Sequence, residues 1–316
     1  MRRSIESASE VSDEPGADST LTIVVHYGDP ALTRAAVDSI LRDRVRPHRL
    51  AIVDNGPGHF DDAGLGESVS VLRPGRNIGF AAAVNAAVEA FVRDDTSLIW
   101  LFNNDAVAEP GALEALLASM RRSENKALVS SLINDASTGD AWFERARFYP
   151  WRLESRHVRG PSRRRADTVD RLPPSAKSIA YLPACSLLAP RALLDAIGGL
   201  DTSFFLYGED VDLSVKASRL GYDLVVANAS VVSHRASSGS TMRYRQRAQA
   251  EAALRLTARY YPWMVPSALI GGTLYGLRRT WSSRQPWWVT QRLAGYADAL
   301  ETVLWPRPAG VRPVNE

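Results

Sequence analysis

Two groups of acidic and amide side chains in this chain could do chemistry together. The first is Asn103-Asn104-Asp105, after an apolar run, and the second is Glu209-Asp210, after an aromatic-rich stretch. A carboxylate at the end of a strand can hold Mg²⁺ or Mn²⁺, which leave coordination positions for diphosphate oxygens. A carboxylate at the start of a helix is favoured in its charged form, as a general base must be. The two groups suit a reaction that needs both a metal and a base.

Each group also has a purely structural interpretation, which stays open at this point. Asp105 could shape a turn or cap the next helix, and Glu209-Asp210 could be ordinary acidic capping of a helix. Capping alone does not require the aromatic residues at Phe204, Phe205 and Tyr207. Since adjacent residues on a helix project about 100° apart, one of the two acids can enter a cleft while the other braces it.

The elements that must position these residues alternate between strands and helices. Apolar runs and helical periodicity predict strands at 21–27, 50–53, 69–72, 97–102 and 127–133, and helices at 31–42, 80–92 and 111–121. This alternation predicts an α/β fold with a mostly parallel, twisted sheet flanked by helices. Ligands bind beyond the carboxyl ends of such strands, where Asp54 and Asp105 both fall, so we expect them to share a site.

The second half of the chain departs from this alternation. Residues 134–178 are rich in Arg, which fits either a solvated, partly mobile insertion or a surface for an anionic acceptor or an acidic membrane. Further elements are predicted at 179–188, 191–197, 209–220, 223–226 and 230–233, followed by Trp-rich helices. The expected organisation is a disordered tail at 1–20, a catalytic domain at 21–240 and a helical C-terminal extension at 241–316.

Composition restricts the compartment and the partners. The formal net charge of +3 argues weakly for any polyanion, and no nucleic acid is expected. A single cysteine, Cys185, cannot form an internal disulfide, which favours the cytoplasm, and its apolar surroundings favour a buried side chain. No secretory signal and no membrane span is predicted. Residues 260–277 come nearest to a span and could lie on a bilayer surface or pack on the core.

An ordered set of motifs runs over about residues 21–240. Its members are Val53-Asp54-Asn55, Asn77-Ile78-Gly79-Phe80, Asn103-Asn104-Asp105, Gly198-Gly199-Leu200-Asp201, Gly208-Glu209-Asp210 and the segment 231–238. As a set they resemble the family 2 glycosyltransferases, particularly the bacterial rhamnosyltransferase-like branch with the GT-A fold. The resemblance implies inverting transfer from a nucleotide-diphosphate sugar, with dTDP-rhamnose or a UDP-sugar favoured. The acceptor would be a glycan, a lipid-linked glycan or a natural product.

The resemblance also implies roles for individual residues. Asp210 resembles the catalytic base, with Glu209 as its neighbour. Asp105 resembles the last acid of the metal-binding Asp-x-Asp motif, with His234 as a further metal or diphosphate contact. The donor site would comprise His26, Tyr27, Asp54 (toward the nucleobase), Asn77, Gly79, Asn85, Asn103, Asn104 and Asp105. Asn103 replaces the first acid of Asp-x-Asp, so the metal would have fewer charged ligands.

Other functions remain alternatives. A sugar-nucleotide nucleotidyltransferase would have a similar sheet, but the Gly-rich signature expected after its first strand is missing at residues 26–30. No G-x-G-x-x-G follows that strand either, which disfavours a nicotinamide enzyme. The replacement at Asn103 invites a catalytically silent, nucleotide-sugar-binding subunit. The Trp-rich helices could line an acceptor site, contact a membrane peripherally, form a homodimer or simply cover the sheet.

Overall fold

The computed structural model describes residues 16–158, 168–170, 177–235 and 242–304. Most of the predicted N-terminal tail lies outside these ranges. The strands are β1 Thr20–His26, β2 Arg49–Asp54, β3 Val69–Leu72, β4 Leu98–Asn103, β5 Ala106–Ala108, β6 Ala127–Asp135, β7 Ala141–Phe143, β8 Arg145–Tyr149, β9 Glu154–Val158, β10 Thr168–Asp170, β11 Ile179–Tyr181, β12 Ser186–Pro190 and β13 Asp223–His234. The helices are α1 Pro30–Leu41, α2 Phe80–Phe91, α3 Ala112–Arg122, α4 Arg191–Ile197, α5 Glu209–Arg219, α6 Met242–Tyr260, α7 Val265–Ser283 and α8 Trp287–Leu304.

One large, mostly parallel sheet organises the described chain, with helices packed against it. Its strand order is β10-β13-β6-β12-β4-β1-β2-β3. Strand β1 pairs in parallel with β2 and β4, in a register that sets His26 opposite Asp54 and Val25 opposite Asn103. The predicted α/β fold is thereby confirmed, and the carboxyl ends of these strands meet at one edge. Strand β12 is an antiparallel insertion between β4 and β6.

The continuous apolar runs form the core because both faces of the central strands are covered. In β1, β2 and β4, side chains such as Ile23, Ile52 and Leu101 are buried. The one polar atom of the buried Trp100 side chain, Nε1, also has a hydrogen-bond partner, because it donates to Ser186 Oγ at 3.1 Å.

The Arg-rich segment contains regular structure that the sequence did not predict. Strands β8, β9 and β11 form a separate antiparallel sheet, and β7 pairs with β6. In β8, Ala146 and Phe148 are buried while Arg145 is exposed. This alternation with a period of two is what a strand with one buried face requires. The high Arg content concealed it, because only every second residue carries the apolar signal.

Strand β13 is one continuous element where two short strands were predicted. Its register against β6 shifts between Ala227 and Val231, and pairing then continues to His234 opposite Asp135. Short strand β5 pairs on its other side, with Ala106 opposite His234. The irregularity explains the interrupted sequence pattern, and the continued strand carries His234 to the same edge as Asp105.

The C-terminal extension is helical, as predicted. Helix α7 approaches the turn Pro150–Arg152 so closely that a Cβ on Gly271 would lie 2.6 Å from the carbonyl oxygen of Trp151. In the part of the chain that the structure describes, no helix combines the length and the apolar character needed to cross a bilayer.

Candidate active site

Asn104 ties the end of β4 to the end of β1. Its Nδ2 donates to the Tyr27 carbonyl oxygen at 3.0 Å and to Thr33 Oγ1 at 3.1 Å. Asn103, the last residue of β4, donates its backbone N–H to the carbonyl oxygen of Cys185 at 2.9 Å. These bonds fix the loop from which Asp105 projects. The Tyr27 side chain is largely exposed at the same edge.

Asp105 and His234 form a close pair. His234 Nε2 lies 3.0 Å from Asp105 Oδ1, and the backbone N–H of Arg235 donates to the carbonyl oxygen of Asp105 at 3.0 Å. His234 is buried, and its Nδ1 has no hydrogen-bond partner among the described residues. Residues 129 positions apart are therefore held as one unit by the pairing of β5 with β13.

The ends of β1 and β2 build the predicted nucleobase side. Asp54 is buried, and its Oδ2 accepts from the Phe60 backbone N–H at 2.8 Å. Its Oδ1 is buried without a hydrogen-bond partner in the described ranges, so this carboxylate retains one acceptor for a ligand. His26 Nδ1 lies 2.7 Å from Thr33 Oγ1. Burial lowers the pKa of His26, while the charges of Asp54 and Asp29 act in the opposite direction.

Asn77 and Gly79 shape the loop before α2. Asn77 Oδ1 accepts from the Gly79 N–H and from Asn55 Nδ2, both at 2.9 Å. Gly79 has φ of 85°, and a Cβ there would lie 2.8 Å from the Phe205 carbonyl oxygen. The next amide, that of Phe80, donates to that oxygen at 3.1 Å. This loop thus holds the aromatic segment that leads to Glu209.

Asn85 acts on the same segment from α2. Its Nδ2 donates to the Leu200 carbonyl oxygen at 2.8 Å, and its Oδ1 accepts from the Leu200 N–H at 2.9 Å. Both ends of the amide group bond to one residue. The resemblance implied that Asn85 contacts the nucleotide-sugar donor. In the structure, the Asn85 side chain positions the chain segment that precedes Glu209 and Asp210.

Glu209 and Asp210 open α5 after a turn with left-handed backbone at Tyr207 (φ 68°) and Gly208 (φ 93°). Glu209 is buried and Asp210 is partly exposed. Burial, with the charge of Asp210 in addition, raises the pKa of Glu209 to about 8. Burial also raises the pKa of Asp210 to about 6, against backbone hydrogen bonds from Val211 and Ala184 that lower it.

These pKa directions differ from the expectation that the helix N-terminus keeps both acids charged. Desolvation penalises a carboxylate more than the helix dipole favours it. Burial therefore favours the protonated form of both acids, and most strongly that of the more deeply buried Glu209. Asp210 is the more exposed of the two.

The segment before β12 brings the two acidic groups together. The Ala184 N–H bonds the Asp210 carboxylate. The adjacent Cys185 is buried, and its burial and the nearby charge of Asp105 raise the pKa of its thiol. Asp210 thus bonds Ala184, and the charge of Asp105 acts on the adjacent Cys185, although the two acids are far apart in the sequence.

A row of aromatic side chains that begins in the Arg-rich segment lies beside His234. The Trp142 ring lies 5.3 Å from the His234 ring and 4.3 Å from the His157 ring, measured between centroids. His157 Nε2 is 3.1 Å from the Tyr181 hydroxyl, whose pKa is raised by burial and then by the charge of Asp210. Sequence reasoning missed Trp142 and His157, because nothing local distinguishes them from other residues of an Arg-rich insertion.

Comparison with known proteins agrees with this geometry. A profile described as "Glycosyltransferase like family 2" matches residues 17–260. The chain belongs to glycosyltransferase family 2.

Curated relatives of this glycosyltransferase come from two strains of Mycobacterium tuberculosis, CDC 1551/Oshkosh and ATCC 25618/H37Rv. Both are named N-acetylglucosaminyl-diphospho-decaprenol L-rhamnosyltransferase, and each is 28% identical over 212 residues, covering 61% of this chain and 68% of the relative. The similarity to this rhamnosyltransferase agrees with the branch that the motifs indicated.

Solved structures show the same fold. GalNAc-T7 with UDP, GalNAc and Mn²⁺ has a TM-score of 0.59 at 13% identity, over 94% of this chain and 59% of that one. The mannosyltransferase PcManGT from Pyrobaculum calidifontis, in complex with GDP-Man and Mn²⁺, has a TM-score of 0.52 at 14% identity, over 94% and 91%. The fold is the GT-A type.

Among the described residues, the Asp105 carboxylate and the His234 imidazole are ligand types that suit a divalent metal. Among the residues described, no group of three or more His, Cys, Asp or Glu side chains could hold an ion alone. The 3.0 Å between His234 Nε2 and Asp105 Oδ1 is a hydrogen-bond distance, and it holds the two potential ligand atoms side by side. A metal here would depend on donor phosphate oxygens and water for its remaining ligands, consistent with Asn103 in place of an acid.

A second network joins α5 to the C-terminal helices and was not predicted. Asp212, only 1% exposed, accepts from Arg259 Nη1 at 2.8 Å and from the Tyr260 hydroxyl. Lys216 Nζ lies 2.8 Å from the other carboxylate oxygen of Asp212, and Arg259 also forms an ion pair with Asp201. The glycosyltransferase thus anchors the helix that carries Asp210 to α6.

Proposed function

We propose that this glycosyltransferase transfers a sugar, with inversion, from a nucleotide-diphosphate donor to an acceptor hydroxyl in a single displacement. The observation that supports the proposal is that Asp210 bonds Ala184, while the charge of Asp105, which is paired with His234, acts on the adjacent Cys185. One site can then receive a proton while the other faces the leaving group.

The chemistry assigns a separate role to each group. Asp210 takes the proton of the acceptor hydroxyl as that oxygen bonds to the anomeric carbon, and the bond from this carbon to the diphosphate oxygen breaks with its electron pair. Asp105 and His234 would hold Mg²⁺ or Mn²⁺, which supplies positive charge to the leaving diphosphate. Asp54, with its remaining acceptor, orients the nucleobase.

The protonation states of the acid pair fit this mechanism. With a pKa of about 6, Asp210 is ionised at neutral pH and close to the operating pH, as efficient general bases are. Protonated Glu209, with a pKa of about 8, avoids a second negative charge beside it.

The relatives, rather than the shape of a pocket, support the proposed donor and acceptor classes. A dTDP-rhamnose donor, or a UDP-sugar, and a lipid-linked diphosphate glycan acceptor are the classes closest to the rhamnosyltransferase named above. In the presence of Mn²⁺, we expect the protein to release dTDP or UDP from one of these donors. The release should be slow when water is the only acceptor and faster when the acceptor glycan is added.

Asp210→Asn tests the central assignment. We expect turnover to fall at least about a thousandfold, because the variant has no base, while the Kd for the donor stays within about twofold. Asp195→Asn, an exposed acid on α4, is the matched control and should retain full turnover. Near-normal turnover by Asp210→Asn would refute the base. Donor binding without hydrolysis or transfer by the wild-type chain would instead indicate a binding subunit.

A further inference from the structure

Helix α7 presents an apolar stripe to the outside of the molecule. The large side chains at 270, 274, 277 and 281 fall within about 60° of one another on a helix of 3.6 residues per turn. They are strongly exposed: Ile270 by 65%, Leu274 by 61%, Leu277 by 49% and Trp281 by 84%. Trp263, in the short turn that precedes α7, is 70% exposed.

The opposite face of α7 explains why the stripe points outward. Ala268, Gly272 and Gly276 are buried there. A Cβ on Gly272 would lie within clashing distance of the Tyr296 hydroxyl, and one on Gly276 would lie 3.3 Å from Arg292 Cδ. The small residues let α7 lie directly on α8, so the large apolar residues of α7 have no position in the core.

The charges beside the stripe have one sign. Arg278 is exposed beside the stripe, Arg284 is exposed just after the C-terminal end of α7, and α7 contains no Asp or Glu between 265 and 283. Two copies of this helix packed along the stripe would bring Arg toward Arg without a compensating acid on either helix. An anionic lipid surface instead complements the Arg residues, and Trp is favoured at the boundary between headgroups and acyl chains.

We propose that this face, the α7 stripe with Arg278 and Arg284, docks the protein on an anionic bilayer without crossing it. The proposal deepens the proposed function, since a lipid-linked acceptor resides in such a bilayer. The stripe is also joined to the site, because α7 packs on the turn between β8 and β9, and β9 carries His157. Trp151 in that turn is exposed by 44% and adjoins the α7 packing contact.

Vesicle flotation of the full chain tests the docking face. The wild type should float with phosphatidylcholine vesicles containing phosphatidylglycerol and much less with phosphatidylcholine alone, with weaker flotation at high salt. The double variant Leu274→Ser/Trp281→Ser should bind the anionic vesicles at least about tenfold less. The double variant Arg278→Glu/Arg284→Glu should bind anionic vesicles at least about tenfold less, with no change in its binding to phosphatidylcholine alone.

Matched controls separate the face from general apolarity and charge. Leu293→Ser on α8, where the side chain is 47% exposed, and Arg42→Glu, at the residue after α1, should bind vesicles like the wild type. All variants are at exposed positions, so their melting temperatures and their hydrolysis of donor should stay at the wild-type level.

Two results would overturn the proposal. One is vesicle binding that the stripe and Arg variants leave unchanged, which would place the contact elsewhere. The other is no vesicle binding together with a dimer, measured by light scattering, that Leu274→Ser/Trp281→Ser dissociates, which would assign the stripe to a second copy. Vesicle binding by a chain that hydrolyses no donor would remove the proposed function and leave the docking face intact.

Discussion

Replacing Glu209 by Gln is expected to stabilise the protein increasingly as the pH rises. Glu209 is 7% exposed, and its Oε2 has no hydrogen-bond partner in the described parts of the chain. Burial, and then the charge of Asp210, raises its pKa from 4.5 to about 8. An unfolded chain loses this proton near 4.5, whereas the folded chain keeps it to about 8, so stability falls as the pH rises between these values.

The magnitude follows from the proton difference. While the folded state holds one proton more than the unfolded state, the free energy of unfolding falls by about 1.4 kcal/mol per pH unit. Asp210, with a pKa of about 6, titrates mostly below the upper part of this range. As the pH rises from about 6 to about 8, the free energy of unfolding of Glu209→Gln should therefore increase by about 2–3 kcal/mol relative to that of the wild type.

Urea unfolding followed by tryptophan fluorescence, repeated across this pH range, measures the effect. Glu67→Gln, at an exposed position, is the matched control and should give a curve parallel to that of the wild type. Parallel curves for Glu209→Gln and the wild type between about pH 6 and about pH 8 would refute the raised pKa of Glu209, and with it the distribution of protons in the pair.

Three further substitutions test other parts of the site. Arg259→Ala should cost about 2–3 kcal/mol and lower the melting temperature, because the buried Asp212 carboxylate loses its guanidinium partner. Gly79→Ala should cost about 2–3 kcal/mol in urea unfolding, because it combines backbone strain at φ of 85° with a contact of 2.8 Å to the Phe205 carbonyl oxygen. Asp105→Ala should weaken donor binding at least about tenfold in calorimetry with Mn²⁺, but little when the metal is chelated.

Matched changes separate these causes. Gly64→Ala has the same positive φ, 80°, with nothing within 4 Å of a new Cβ, so it should cost only about 1 kcal/mol for strain. Equal costs at Gly64 and Gly79 would contradict the close approach of Phe205. Arg42→Ala, at an exposed ion pair, should change stability by less than about 0.5 kcal/mol. Equal donor affinity of Asp105→Ala and wild type in Mn²⁺ would exclude the metal role.

Much of the fold could be predicted because its signals are local. Continuous apolar runs, helical periodicity and glycine stops located the elements from β1 to β4 and also α3, α4 and α5, mostly to within one residue, but not the short strand β5. Strand direction is not local. Nothing in the composition of β12 distinguishes an antiparallel insertion from another parallel strand, because a strand buried on both faces is apolar in either direction.

The sequence could predict the location of a site residue only where its position relative to a strand determines where it lies in the fold. Asp54 and Asp105 follow parallel strands, so the sheet rule brings them to one edge. The role of Asn85 depends on Leu200, which is 115 residues away, and no periodicity encodes such a contact. The same holds for His157 and for Arg259, whose partners come from other layers of the molecule.

Helix α6 packs directly on the segment that carries Asp210. The turn that aims Asp210 contains Gly208, where a Cβ would lie 2.8 Å from Phe204 Cδ1 and 3.1 Å from Ala252 Cβ on α6. The Arg259 guanidinium lies 5.1 Å from the centre of the Phe204 ring while it pairs with Asp212. Helix α6 therefore confines both the turn before Asp210 and the helix after it. Because a partly buried carboxylate with a raised pKa gains by moving toward water, this confinement would hold Asp210 in place for its proposed role as a base.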